Sequence, residues 1–289
     1  MSIGEKIKAL RSAKLMTQSE LAGSEITRNM LSRIENGAAQ PSLDTLRYLA
    51  NKLNVSPGFL LAEGGDEHIY VKHNEIRGIK TAYLMEDYRI CRDMCLNSAS
   101  TDDDEVGLIL AECTLAIAIE EFKNGNLRDA CEFFDKAIEA CANTIYNTNH
   151  ITSTSAMYFK YMRNISATLS SNTVDESEVA AWGALSDKFC AYASAFLNFA
   201  DENGEIIVLP PEQSIFGLHI TAIKYIKQEN YGAAYEYLHR ILVSEEIAPE
   251  PMMYFVFSDL ELACRETGDF KGAYEYSINK MELLQKLLS

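Results

Sequence analysis

The stretch ITRNMLSRIENG, residues 26–37, is where the fold of this chain first becomes legible. Thr27 carries a short hydroxyl that can accept a hydrogen bond from a free backbone N–H in a first helical turn. Met30, Leu31 and Ile34 follow at helical spacing and turn one face toward a core. Gly37 suits the left-handed position that closes a helix. Arg28, Asn29, Ser32 and Arg33 are left on the other face. The segment reads as a short helix with an apolar back and a polar, cationic front.

The flanking residues extend this pattern in both directions. In MTQSELAG, residues 16–23, Thr17 caps a short helix that reaches Gly23, and Glu20 three positions on completes a capping box. Upstream, Ile3, Ile7 and Leu10 share a helical face while Lys6, Lys8 and Arg11 take the others. Downstream, PSLDTLRYLANKL at 41–53 begins at Ser42, with Leu43, Leu46, Leu49 and Leu53 as its buried stripe. SPGFLLA at 56–62 adds a last short helix with Pro57 in its first turn. Five short helices within residues 3–62 predict a compact all-α domain.

Over nearly all of residues 3–62 this arrangement resembles the Xre, or phage-repressor, type of helix-turn-helix domain. The motifs TQSELA, ITRNMLSRIENG and PSLDTLRYLANKLNVSPGFLL carry the resemblance in register. In one respect the chain departs from the pattern. Five residues, Gly23 to Thr27, separate LA from RNM where the family commonly has six, which predicts a tightened turn. The resemblance implies that Arg11 and Glu35 form a buried ion pair tying the first helix to the third. A helix of this size fits the DNA major groove, where its N-terminal residues reach base edges. Thr27, Arg28, Asn29, Ser32 and Arg33 are therefore the expected contacts. Arginine can bond guanine through two hydrogen bonds, asparagine can do the same with adenine, and serine is permissive. Gln18, opening the preceding helix, is expected near a phosphate, with Asn36 and Gln40 extending the backbone clamp.

Such a domain must approach a polyanion, yet the 289-residue chain has a formal net charge of −16. The charge is unevenly placed. Residues 1–64 hold eight Lys and Arg against six Asp and Glu, so the acidity belongs to the remainder. This asymmetry separates one nucleic-acid-facing module from one that is not. A chain 47% hydrophobic and 24% charged is ordinary for a folded protein, and its length suits two domains. The basic opening MSIGEKIKALRSAK lacks the apolar core of a secretion signal. The run LILAECTLAIAI is broken by Glu112 and too short to span a bilayer. The seven cysteines contain no CxxC and read as small buried thiols in a reducing cytoplasm. Cys91 and Cys95 lie four apart, so one helical face can carry both; a metal or redox role is the alternative to simple packing.

Beyond AEGGDE at 62–67, a Gly-rich acidic hinge, the sequence reads almost wholly as helix. Three segments superimpose: NGNLRDACEFFDKAIE from 124, QENYGAAYEYLHRIL from 228 and ETGDFKGAYEYSINKM from 266. Each has a turn, then an aromatic or leucine, then a small residue three positions on, in the pairs Leu127/Ala130, Tyr231/Ala234 and Phe270/Ala273. The alanine lets two helices of a hairpin approach closely. These segments, at 124–140 and 215–288, resemble tetratricopeptide repeats; residues 150–200 fit the pattern poorly. The resemblance implies a stacked solenoid with a concave surface suited to an extended peptide or a helix. Its candidate peptide contacts are Tyr158, Tyr161, Asn164, Tyr225 and Tyr254. For each tyrosine, packing within the solenoid is the alternative. The expected division is 1–64 for the helix-turn-helix domain, 65–100 for a linker and connecting helix, and 101–289 for a sensing and dimerisation domain.

Other signals are weak. TDDDE at 101–105 sits where a helix begins, and acidic residues are favoured there without calcium. The five histidines show neither HExxH nor zinc-finger spacing. No phosphate loop, GxSxG elbow or Cys/His dyad is present, so neither catalysis nor a cofactor or metal is expected.

A helix-turn-helix head followed by tetratricopeptide-like repeats resembles the RNPP group of peptide-pheromone receptors of Gram-positive bacteria (the Rgg, PlcR and PrgX type). That resemblance implies a homodimeric transcription regulator that binds a double-stranded DNA operator and responds to a short signalling peptide. The alternative is a constitutive repressor or adaptor whose solenoid binds a protein partner and takes no peptide. A response-regulator-binding adaptor would need the repeats alone, and the intact head argues against it.

Overall fold

A computed structural model describes residues 1–62, 67–171, 188–200 and 210–289. The interior of the hinge at 62–67 and part of the poorly matching 150–200 stretch lie outside these residues. The described chain is helical, with a helix-turn-helix head followed by a larger helical domain. It divides into two compact units: Met1–Asp87 with Asp93–Thr101, and Tyr88–Arg92 with Asp102–Ser289.

The first unit opens with α1 (Ile3–Ala13), α2 (Gln18–Ala22), α3 (Arg28–Glu35), α4 (Leu43–Leu53) and α5 (Pro57–Leu61). All five start on a hydroxyl N-cap: Ser2, Thr17, Thr27, Ser42 and Ser56 each accept a hydrogen bond from a first-turn N–H. Ser2 with Glu5 and Thr17 with Glu20 form complete capping boxes. These caps fix where each helix begins, and the apolar stripes then fix how they pack. Ile7, Leu21, Leu31, Ile34, Leu46, Leu49, Leu53 and Leu60 meet in one core. Leu43, expected in that stripe, is instead 65% exposed. It is the first residue of α4, and its turn projects beyond the core that Leu46 closes.

Lys6 is a second departure. It is buried, and its ammonium donates to the carbonyls of Phe59 (3.0 Å) and Ala62 at the end of α5. A cation suits a helix C-terminus, where carbonyls lack partners. Lys6 therefore ties α1 to α5 rather than adding to the cationic surface. Two helices follow: α6 (Glu67–Leu84) and α7 (Tyr88–Leu96), the latter divided between the units.

The second unit is built from α8 (Asp104–Lys123), α9 (Leu127–Ala140), α10 (Asn149–Arg163), α11 (Lys188–Ala200), α12 (Ile215–Lys227), α13 (Tyr231–Leu242), α14 (Glu250–Glu266) and α15 (Phe270–Leu287). The acidic run at 101–105 caps α8: Asp103 accepts from the N–H groups of Glu105 (3.0 Å) and Val106 (3.4 Å). Helices α8 and α9, α12 and α13, and α14 and α15 pack as antiparallel hairpins. Their turns share one geometry, a single left-handed residue: Gly125 (φ 83°), Glu229 (φ 56°) and Gly268 (φ 84°). The three sequence segments thus superimpose in structure as well. Ala130 and Ala234 are fully buried where their hairpins close, and Ala273 is half-buried.

The core of this unit is rich in aromatic rings. Phe122 of α8, Tyr158 and Tyr161 of α10, Phe189 and Tyr192 of α11, Phe216 of α12 and Phe255 of α14 interlock. Phe122 lies edge-on to Tyr158 at 4.8 Å, Tyr158 stacks on Phe189 at 5.0 Å, and Tyr161 meets Phe255 at 5.3 Å. Helix α8 also packs on α14, so the first hairpin touches the last. These contacts place aromatic rings between the packed helices of the unit.

One polar chain crosses this core. Tyr161 Oη lies 3.3 Å from Tyr192 Oη, which lies 2.8 Å from His219 Nδ1, and His219 Nε2 lies 3.0 Å from Asp259 Oδ2. The His219 ring thus bridges the Tyr192 hydroxyl and the Asp259 carboxyl group. Burial pushes both phenols above their ordinary value, which keeps them protonated donors.

Cys91, Cys95, Cys113, Cys190 and Cys264 are buried, and Cys131 and Cys141 are half-buried. Among the described residues no cluster of His, Cys, Asp and Glu could hold a metal ion. No described helix is long and apolar enough to cross a membrane.

Candidate nucleic-acid interface

The interface is built on α3 and on the turn that aims it. Helix α3 turns Leu31, Ile34 and Glu35 inward. Its outer face carries Arg28, Asn29 and Arg33, all exposed, with Ser32 half-buried among them. Thr27 is exposed, but its hydroxyl accepts from the Met30 N–H at 3.1 Å, so its first role is the cap. Asn36, at the helix end, and Gln40 beyond Gly37 are both exposed. The structure therefore presents Arg28, Asn29 and Arg33 as one solvent-facing set, with Asn36 and Gln40 at its far end.

Gln18 sits differently from expectation. Its side chain is half-buried, and Nε2 donates to Glu35 Oε2 at 2.7 Å. Glu35 also receives Arg11 Nε at 2.6 Å and a second guanidinium N–H at 3.1 Å. Arg11 donates further to the Met16 carbonyl at 2.8 Å. Burial alone would raise the Glu35 carboxyl. The hydrogen bonds from Arg11 and Gln18, together with the Arg11 charge, outweigh it and hold the group below its ordinary value. One carboxylate thus gathers α1, α2 and α3 at the base of the outer face. The carboxamide of Gln18 positions α2 against α3 rather than standing free for phosphate.

Gly23 shapes the turn between α2 and α3. It adopts φ 55°, ψ −137°, a region open to glycine and strained for other residues. Three α2 carbonyls find donors on α4: Tyr48 Oη donates to Leu21 (3.3 Å) and Ala22 (3.0 Å), and Lys52 Nζ donates to Glu20 (3.0 Å). A Cβ at Gly23 would lie 2.4 Å from Tyr48 Oη. Gly23→Ala should therefore destabilise the unit by about 1–3 kcal/mol through backbone strain, and more if Tyr48 is displaced. Thermal melting of the variant checks this. Tyr48 and Lys52 escaped the sequence reading. Their only signal is an i, i+4 spacing off the leucine stripe of α4, which names no partner. Gly4 is similar: a Cβ there would lie 2.1 Å from the Ile34 carbonyl, so α1 reaches the end of α3 only without a side chain.

The candidate peptide contacts separate under the structure. Tyr158 and Tyr161 are wholly buried in the aromatic core and offer no face to a ligand. Their spacing matched a lining pattern because the same i, i+3 spacing serves a buried seam. Asn164 is exposed, with Nδ2 donating to the Lys160 carbonyl at 2.8 Å. Tyr225 and Tyr254 are half-buried, against Tyr237 at 5.4 Å and Phe255 at 5.2 Å.

Residues 7–60 match the family model described as Helix-turn-helix. The head is thus a helix-turn-helix domain of the Xre type. No curated protein matches the chain. Two solved structures are similar over its length at slight superposition. One is PlcR of Bacillus thuringiensis in complex with the peptide PapR7 and DNA, at 13% identity over 99% of this chain and 96% of that one, TM-score 0.23. The other is the SHP pheromone receptor Rgg2 of Streptococcus dysgalactiae, at 14% identity over 97% of this chain and 99% of that one, TM-score 0.21.

Proposed function

We propose that this chain, headed by a helix-turn-helix domain, is a cytoplasmic transcription regulator that binds a double-stranded DNA operator as a homodimer. The observation that carries the reading is the exposed set Arg28, Asn29 and Arg33 on a helix whose opposite face is locked into the core. Arg28 and Asn29 occupy the first turn, where side chains reach base edges, while Arg33 lies a turn further on. A two-fold dimer calls for operator half-sites about one helical turn apart, or a multiple of it. The acidic second unit limits adhesion to other DNA, because non-specific affinity is electrostatic.

Arg28→Ala tests the base contact. The variant should lose about 1–3 kcal/mol of discrimination at one operator position. Arg33→Ala serves as comparison. Competition binding against single-base operator variants reads the difference; unchanged base preference in Arg28→Ala would remove that residue from the reading side.

We further propose that the second unit receives a signalling peptide, with Asn164, Tyr225 and Tyr254 as its remaining candidate contacts. The ligand acts by binding one dimer arrangement better than another. A specific observation favours a second reading, a regulator without a peptide: the interior is filled by the protein's own aromatic rings. Titrating the full chain with short peptides while following melting temperature and operator affinity separates the two. A peptide that shifts either one supports sensing; operator binding that no peptide alters supports the constitutive regulator.

A further inference from the structure

In the second unit a pocket of about 370 Å³ opens where several helix ends meet. Lys123 is the last residue of α8, Lys188 and Phe189 are the first two of α11, and Phe216 lies in the first turn of α12. Glu246 and Ile247, in the connection from α13 to α14, form another wall. None of Asn164, Tyr225 and Tyr254 lines this space, so it is separate from the peptide contacts proposed above.

Floor and rim differ in chemistry. Phe189 is 1% exposed and Phe216 7%, their rings 6.0 Å apart and edge to face, so the pocket lies over the aromatic core. Both lysines are exposed. Elsewhere in this acidic unit lysines are engaged: Lys136, Lys280 and Lys286 each meet a glutamate. Lys123 and Lys188 meet none among the described residues, and two like charges beside one pocket repel. An anion between them relieves that repulsion. Two helix starts, which favour negative charge, border the same space. Glu246 already serves one of them, its Oε2 accepting from the Ile215 N–H at 3.3 Å, which leaves the lysines to an outside anion. Ile247 is 93% exposed, an apolar side chain left in water on the pocket wall.

We propose that this pocket binds a small aromatic monocarboxylate, its ring on Phe189, Phe216 and Ile247 and its carboxylate held by Lys123 and Lys188. Size selects the ligand. The volume lies at the low end of the roughly 300–1,000 Å³ that ligand pockets span, room for one ring and a short acid chain rather than an extended peptide. Charge selects the head group. Two ammonium donors suit a carboxylate, and the apolar floor penalises a ligand charged throughout, such as free phosphate or a nucleotide. Bound there, the acid bridges α8, α11, α12 and the connection to α14. The second unit thereby gains a chemical input distinct from peptide and from DNA.

Isothermal titration calorimetry of the full chain with hydrocinnamate, a phenyl ring on a short acid chain, tests the site, with hydrocinnamamide as the uncharged counterpart. The acid should bind saturably with a dissociation constant of about 0.1–1 mM, and the amide at least about tenfold more weakly. Lys123→Met and Lys188→Met should each weaken the acid about tenfold and leave the melting curve in place, since both side chains stand in water. Ile247→Ser should cost about threefold. Those losses, with acid and amide no longer distinguished by the double lysine variant, support the assignment. Absence of saturation up to about 10 mM acid, equal binding of acid and amide by the unmodified chain, or acid binding indifferent to both lysines overturns it. The comparison of acid with amide needs no variant, so it decides the matter even where a substitution harms folding. Operator affinity measured without the acid reports the DNA reading separately.

Discussion

Glu35→Ala unfolds the first unit. The Glu35 side chain is 1% exposed and that of Arg11 14%, so removing the carboxylate leaves a part-buried guanidinium with only the Met16 carbonyl, and a half-buried Gln18 amide without its acceptor. Breaking a buried pair in this way costs about 3–5 kcal/mol. A unit whose helical head spans some 60 residues has a total stability of about 3–9 kcal/mol, so much or all of it is lost. Operator binding should vanish, and amide protection should disappear from α1 to α5 while the second unit stays protected. Hydrogen exchange of the full chain distinguishes this from loss of a DNA contact. The carboxylate also sets an acid limit. Its folded value lies below the ordinary 4.5, so its stabilisation is complete above about pH 4.5 and is lost as pH falls through the lower folded value. Urea melts of the wild type across that range should fall away in acid, and the Glu35→Ala curve should lack that component.

Tyr158→Ala should act with similar force on the second unit. Tyr158 is fully buried between Phe122, Phe134 and Phe189, at centroid distances of 4.8, 4.9 and 5.0 Å. Deleting such a ring leaves a cavity that rigid neighbours cannot fill, at a cost of about 3–5 kcal/mol. Because this tyrosine packs α10 against α8, α9 and α11, the loss should appear as a lowered melting temperature of the whole unit. A Tyr158→Ala protein that melts like the wild type would show the ring to be free of the core, as a groove-lining residue would be. Tyr158→Phe, which keeps the ring, should recover most of that loss.

These two residues mark the difference between what was and was not legible. The head could be read almost entirely from its residues, because its information is local. A hydroxyl followed three positions later by glutamate dictates a capping box, and the leucine spacing dictates a stripe. The two misplacements, Leu43 and Lys6, occur at helix beginnings, where the position of the neighbouring helix rather than periodicity decides burial. A helix start favours anions and so points Gln18 outward, yet a carboxylate 17 residues away holds its amide.

Local patterns, then, specify helices, caps, turns and the cationic outer face of α3, because hydrogen bonds and periodicity act over three or four residues. The assembly of helices specifies which face of α10 is sealed and where Tyr48, Lys52 and Lys6 find their acceptors. Those outcomes depend on what stands opposite each side chain in space, and burial is a property of both partners rather than of either stretch of chain.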